Sequence, residues 1–143
     1  MTLYILDTDL FSLTERTDSH ASQRLLFRLS KHRGVKWVTS IITFEEQMRG
    51  WMAWLAQARN HEQQVERYRN LQTMLRRYRD TEVLDFDEPA LVMLKNLQKQ
   101  RIRIGTMDLK IAAIALANDA TLLSKNLRDF SKVPGLKVED WSV

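Results

Sequence analysis

Asp7, Glu46, Asp108 and Asp129 are the side chains whose type and spacing point to chemistry. Asp7 closes the apolar run Leu3-Tyr4-Ile5-Leu6, which reads as a short buried strand. A carboxylate at the end of such a strand lies at the rim of a sheet, where open α/β folds place their ligands. Glu46 follows Thr43 by three residues at the start of a helical pattern. Asp108 lies two residues past Thr106, in the first turn of a second helix. Asp129 sits in a polar segment after Thr121-Leu122-Leu123-Ser124, another strand. If these strands run parallel, all four acids fall on one edge of the sheet. Two carboxylates about 4 Å apart at an effective dielectric near 20 repel by roughly 4 kcal/mol. A fold gathers several only where a cation or protons neutralise them. Oxygen donors with no cysteine and no neighbouring histidine suit Mg²⁺ or Mn²⁺ rather than Zn²⁺.

Each acid also has a purely structural explanation. Asp7 can cap the following helix, although Thr8 and Asp9 are equally placed to do so. Thr43-x-x-Glu46 is the spacing of a capping box. Asp108 is favoured near a helix N-terminus by the helix dipole alone, and Asp129 can be an ordinary solvated acid.

The elements that must position these acids follow from periodicity. After the first strand, Leu10 to Leu13 form a short helical turn. A polar stretch from Thr14 to Ser19 leads to a helix begun by Ser19 or Ser22, with Leu25, Leu26 and Leu29 on its apolar face and Gly34 as its stop. Val35 to Val38 is strand-like. From Phe44 to about Arg79 the pattern is helical. Met48, Trp51, Met52, Leu55 and Ala58 share one face, and Val65, Tyr68, Leu71, Met74, Leu75 and Tyr78 share another. Asn60-His61 separates the two sets, so the stretch reads as a helical hairpin. Its second arm is rich in arginine (Arg67, Arg69, Arg76, Arg77, Arg79), a solvated face or a surface for RNA or an acidic partner. Glu82 to Phe86 is a third strand. Asp87 caps a helix with Pro89 in its first turn, running to about Arg101. Thr106 caps the helix from Met107 to Asn118, and Leu136 to Val138 is a short last strand. Strands alternating with helices predict an α/β fold with a mostly parallel sheet.

The totals bound the possibilities. A chain of 143 residues, 44% hydrophobic and 28% charged, predicts one domain spanning 1–143 with a proper core. No apolar run approaches a membrane span, and no signal peptide is evident. With no cysteine, a reducing cytoplasm is the expected compartment. A net charge of +4 suits a polyanionic partner. His20, His32 and His61 lie away from the acids, which disfavours a Ser-His-Asp triad. The glycines stand alone, so no phosphate-cradling loop is present. Trp51 and Trp54 read as packing residues rather than base-stacking ones.

Four stretches resemble the PIN-domain family, and within it the VapC-type ribonuclease toxins of toxin–antitoxin pairs. They are Tyr4-Ile5-Leu6-Asp7-Thr8-Asp9; Ser40-Ile41-Ile42-Thr43-Phe44-Glu45-Glu46 with Gly50 after it; Ile104-Gly105-Thr106-Met107-Asp108-Leu109-Lys110-Ile111-Ala112-Ala113; and Leu123-Ser124-Lys125-Asn126-Leu127-Arg128-Asp129-Phe130 with the segment to Trp141. The resemblance implies a three-layer α/β/α sandwich with a short central sheet and an inserted helical hairpin. It implies a metal-dependent endoribonuclease in which Asp7, Glu46, Asp108 and Asp129 are both the catalytic quartet and the Mg²⁺ or Mn²⁺ ligands. Products would carry 5′-phosphate and 3′-hydroxyl ends. It further implies a homodimer inhibited by a cognate antitoxin, with no membrane association. Ser124 matches a hydroxyl that orients a ligand carboxylate, and Lys110, Lys125 and Arg128 are candidates to hold the RNA backbone. Asp9 stands where the family commonly has Asn, and Asn126 where many members carry the fourth acid, so Asp129, Asn126 and Asp9 compete for that position. Glu45 beside Glu46 is a second ambiguity, which the spacing from Gly50 resolves toward Glu46. Two alternatives stand beside the nuclease: a non-catalytic module of the same fold that binds RNA or an antitoxin, and a receiver-like signalling domain with Asp85 as its acceptor.

Overall fold

The computed structural model describes residues 2–16 and 18–143; Thr17, within the polar stretch after the first helix, lies outside them. The elements in order are β1 (Thr2–Leu6), α1 (Thr8–Leu13), α2 (His20–Lys31), β2 (Val35–Ser40), α3 (Ile41–Ala56) and α4 (His61–Arg79). There follow β3 (Val83–Leu84), α5 (Glu88–Lys99), α6 (Thr106–Ala117), β4 (Thr121–Leu123), α7 (Leu127–Phe130) and β5 (Lys137–Glu139). The strands form one five-stranded sheet in the order β3-β2-β1-β4-β5. Every pairing is parallel, with Ile5 opposite Val38 on one side and Leu122 on the other.

The strand period of two sorts the core into two layers. Ile5 and Leu122 point into a cluster filled by α5 and α6. Leu6 and Leu123, one residue on, point into a second cluster with Leu10, Phe11, Leu25, Leu29, Met74 and Tyr78 from α1, α2 and α4. Helices therefore cover both faces, giving the expected three-layer α/β/α sandwich. α3 crosses the sheet edge, placing Ile42 in the first cluster and Phe44, Met48 and Trp51 against the second. α6 is buried from Ile111 to Ala115 without interruption, as a helix packed on several sides must be.

Several local expectations are corrected. Thr8 and Asp9 do not cap α1: Asp7 itself does, its carboxylate accepting from the Leu10 N–H at 3.0 Å. The Thr43–Glu46 capping box does not form, because Ser40 takes the cap and accepts from the Thr43 N–H at 3.2 Å. Thr106 is the first helical residue of α6, not its cap; Gly105 holds that place and offers no side chain. β3 keeps only two of its expected five residues, since it pairs with β2 alone at the sheet edge. α5 ends at Lys99, and Arg101 takes a left-handed conformation (φ 57°) that turns the chain toward α6. α2 ends at Lys31 rather than at Gly34, whose φ of 75° serves the turn into β2. The arginine arm is not uniformly solvated. Arg77 pairs with Glu15 at 2.9 Å, donates to Thr14 Oγ1 and lies 4.3 Å over the Phe11 ring. Arg67 donates to the Trp54 carbonyl and covers the Trp54 ring.

Candidate functional site

The order β3-β2-β1-β4-β5 means that the chain steps one way from β1 to β2 and β3, then returns to β1's other side with β4. That reversal is a switch point, where the connections leave in opposite directions and open a crevice at the carboxyl ends of the strands. Asp7 and Ser124 follow the two strands that flank it. The Asp7 N–H donates to the Leu123 carbonyl at 3.1 Å, continuing the ladder one step past the strands.

Asp7 is only 6% exposed. One carboxylate oxygen accepts from Leu10 N–H; the other accepts from the buried Ser124 hydroxyl at 2.5 Å. The Ser124 oxygen in turn accepts from the Asn126 N–H at 2.9 Å, which fixes its orientation. Burial pushes the Asp7 carboxyl up to about 6. The Ser124 and Leu10 hydrogen bonds pull against that rise, while the charges of Asp9 and Asp108 add to it. Asp108, on the first turn of α6, is also raised, by burial first and then by Glu46, Asp129 and Asp9. The five acids therefore share one electrostatic neighbourhood.

Glu46 is held from β1's side. The Thr8 hydroxyl donates to Glu46 Oε1 at 2.5 Å and lies 3.2 Å from Thr43 Oγ1. Glu45 turns away and pairs with Arg49 at 2.5 Å, as the 100° step between helical neighbours requires. Asp129, on α7, accepts from Asn126 Nδ2 at 3.0 Å and lies 3.4 Å from Lys132. These two hydrogen bonds hold its carboxyl below the usual range. Asn126 and Asp129 thus form one hydrogen-bonded unit, with Asn126 also capping α7.

Among the described residues, no three His, Cys, Asp or Glu side chains are gathered tightly enough to hold an ion. The donors are nevertheless all oxygens, and two of them, Asp7 and Asp108, are raised by burial first and by their acidic neighbours second. That chemistry fits a hard divalent ion and no soft one.

Thr8 escaped the sequence reading as a site residue, where it stood only as a possible cap. The signal was its position directly after Asp7, on the first turn of a helix facing α3. Gln47 was also missed: its amide donates to Ser12 Oγ at 2.9 Å and accepts from the Tyr78 hydroxyl at 2.6 Å. It ties α1, α3 and α4 together behind the acids. Asp85 follows the edge strand β3 and is exposed, so it does not stand at the end of a central strand as a receiver's acceptor aspartate must. His32 stacks on Trp141 at 4.4 Å between ring centroids, at the C-terminal segment.

An open parallel sheet with a crevice at the carboxyl ends of its strands, and Asp7, Asp9, Glu46, Asp108 and Asp129 in one electrostatic neighbourhood there, defines the class of α/β protein. The PIN domain family model matches residues 4–136, and the chain belongs to that family. It is 27% identical over 145 residues to ribonuclease VapC2 of Rickettsia felis, covering 97% of this chain and 98% of that protein. It is 46% identical over 46 residues to ribonuclease VapC1 of the same organism; that alignment spans about a third of each, 32% of this chain and 34% of the relative. The structure of VapBC-1 from nontypeable Haemophilus influenzae superposes with a TM-score of 0.72 at 26% identity, covering 99% of this chain and 100% of that one. No helix among the described residues is long and apolar enough to cross a membrane.

Proposed function

We propose that this protein is a metal-dependent endoribonuclease, the toxin of a toxin–antitoxin pair, with Asp7, Glu46, Asp108 and Asp129 as catalytic residues and ligands of Mg²⁺ or Mn²⁺. The observation that carries the reading is the shared field of these acids at the switch point of a PIN domain. The curated relatives named as ribonucleases support RNA as the substrate. When bound, such an ion supplies activation of a water molecule and neutralisation of charge at a scissile phosphate. Asp7 and Asp108 are the direct ligands, and Glu46 and Asp129 complete the pocket. Ser124 holds Asp7 in one orientation, so that its rotamer is set before substrate arrives. Thr8 does the same for Glu46. Because the attacking group is water and not the substrate 2′-hydroxyl, products carry 5′-phosphate and 3′-hydroxyl ends.

A cognate antitoxin and a second copy of this chain are its protein partners. An apolar strip supports a protein-binding role: Met52, Tyr68 and Leu75 are 50%, 58% and 62% exposed along α3 and α4. Two adjoining depressions there share Phe44, Met48 and Met52. The working compartment is the cytoplasm.

The test is cleavage of end-labelled RNA with Mg²⁺, with Mn²⁺ and with EDTA, beside Asp7→Asn and Asp108→Asn prepared identically. The proposal expects cutting that requires both the metal and both acids. Equal cutting by the variants would assign the activity to a contaminant. RNA bound but never cut by the parent would favour the non-catalytic module.

A further inference from the structure

Beside the acids lies a small polar cleft of about 250 Å³ lined by Asp9, Ser12, Leu13, Arg16 and Lys125. Its two cations come from separate parts of the chain. Arg16 follows α1, and Lys125 follows Ser124 on the opposite side of the switch point. Both are exposed, and among the described residues neither has an ion-pair partner, although the chain carries 18 acidic residues. Solvated surface lysines and arginines are common, so exposure alone assigns nothing. What distinguishes these two is that both line one cleft beside the acids, on turns held by side-chain hydrogen bonds. The buried Ser22 hydroxyl donates to the Leu13 carbonyl at 2.6 Å and to the Arg16 carbonyl, which pins the turn carrying Arg16 onto α2. Lys125 sits inside the two-residue bridge made by the Asn126 N–H and Ser124 Oγ, the hydroxyl that also holds Asp7. The cleft adjoins the acids, because Asp9 lines it and the charge of Asp9 is felt at both Asp7 and Asp108.

We infer that the Arg16–Lys125 cleft is a phosphate subsite, which takes an RNA backbone phosphate next to the scissile one. The inference rests on the nuclease reading above. An acid-lined centre repels a polyanion until its own charge is neutralised. Two cations on pinned turns supply the opposite sign at the neighbouring position, and they bind RNA without entering the reaction. Arg16 offers a planar fork of donors suited to two phosphate oxygens, while Lys125 acts as a point charge. Both are positioning residues: they set where the strand lies relative to Asp7 and Asp108.

The test separates binding from cutting. Affinity of full-length Asp7→Asn for a short single-stranded RNA is measured in EDTA by fluorescence anisotropy across a salt series. The same measurement is made with Arg16→Gln and Lys125→Gln added. Each phosphate contact steepens the salt dependence of log K by about 0.7 on single strands. The double addition should weaken binding at least 10-fold at low salt and flatten the slope by about 1.4. In the otherwise unaltered protein, the same pair should raise KM and leave kcat within a few-fold. The comparison pair is Lys31→Gln with Arg33→Gln, which lie just before β2 at the amino ends of the strands, opposite the acids, and should change the slope far less. Equal losses from the two pairs would reduce the effect to net charge and overturn the inference, as would unchanged affinity. Absence of cleavage by the parent would count against the nuclease reading, and the anisotropy series would still decide the cleft.

Discussion

Replacing Asp7 by Asn should stabilise the metal-free protein at neutral pH. The carboxyl is raised from its ordinary 3.8 to about 6 in the folded state. Between those values the folded protein holds a proton that the unfolded chain has released. The contribution of Asp7 to stability is therefore greatest below about pH 4, falls as pH rises toward 6, and stays low above it. At about 1.4 kcal/mol per pH unit, ionised Asp7 costs the fold roughly 3 kcal/mol at pH 7.5. Asn carries no charge and avoids that cost. It keeps an oxygen for the Leu10 N–H but presents an amide to Ser124 Oγ, a mismatch worth about 1 kcal/mol. The net gain is about 2 kcal/mol, or roughly 4–8 °C in Tm for a chain of this size. The assay is thermal unfolding of both proteins in EDTA from pH 4 to pH 8. The difference should be absent or slightly reversed at pH 4 and should open through pH 6. Mn²⁺ in place of EDTA should raise the parent more than the variant, closing the gap by mass action. A variant that melts below the parent at pH 7.5, or a difference independent of pH, would refute the reasoning and make Asp7 chiefly a helix cap.

Three other outcomes are expected. Ser40→Ala removes the only side-chain cap of α3 and should cost about 1 kcal/mol, lowering Tm by about 2–4 °C; Glu46→Gln, which disturbs no cap, should leave Tm nearly unchanged, and the reverse order would restore the capping box. Arg77→Met strands half-buried Glu15, whose carboxyl is already raised by burial against the opposing charges of Arg77 and Arg16; denaturant titration should show a loss of about 2 kcal/mol, much of it recovered when Glu15→Gln is added. Thr8→Val deletes the donor to Glu46, so steady-state cleavage should show kcat reduced about 10-fold with far-ultraviolet circular dichroism unchanged, and Thr8→Ser should restore it.

The layers and the parallel sheet were legible because they are written in periodicity. Ile5 and Leu6, adjacent in an apolar run, must face opposite ways in a strand, and each found its own cluster. The break at Asn60 was legible too, since Asn60 caps α4 through the Gln63 N–H. Caps were misassigned where several competent residues stood in a row. Asp7, Thr8 and Asp9 can each accept a helix N–H, and which one does depends on where the strand ends, a matter decided by pairing with β4. Val65, Tyr68, Leu71, Met74, Leu75 and Tyr78 share one face of α4 by periodicity, but of these only Met74 and Tyr78 are buried while Val65, Tyr68 and Leu75 stay exposed. Periodicity reports that a face is apolar and does not report what covers it. Arg77 was hidden for the converse reason: its long stem reaches past the helix surface to Phe11 and Glu15, contacts between residues more than sixty positions apart.

The same limit explains how the acids were read. Their order along the chain put them on one edge once the sheet was known to be parallel. The hydrogen bonds that orient them could not be read that way, because Ser124 meets Asp7 across 117 residues and Thr8 meets Glu46 across 38. These contacts matter for the proposed chemistry because each donor satisfies part of a carboxylate and fixes its rotamer. Asp7 has one hydrogen bond on each oxygen, but a carboxylate oxygen has more than one acceptor direction, so a ligand position remains on a side chain already held. On the proposed reading, binding a cation at this position would offset the cost of burying an ionised Asp7. The stability difference between Asp7 and Asn at neutral pH is thus chiefly a measure of what burying the ionised carboxylate costs, with a smaller part from the charges of Asp9 and Asp108.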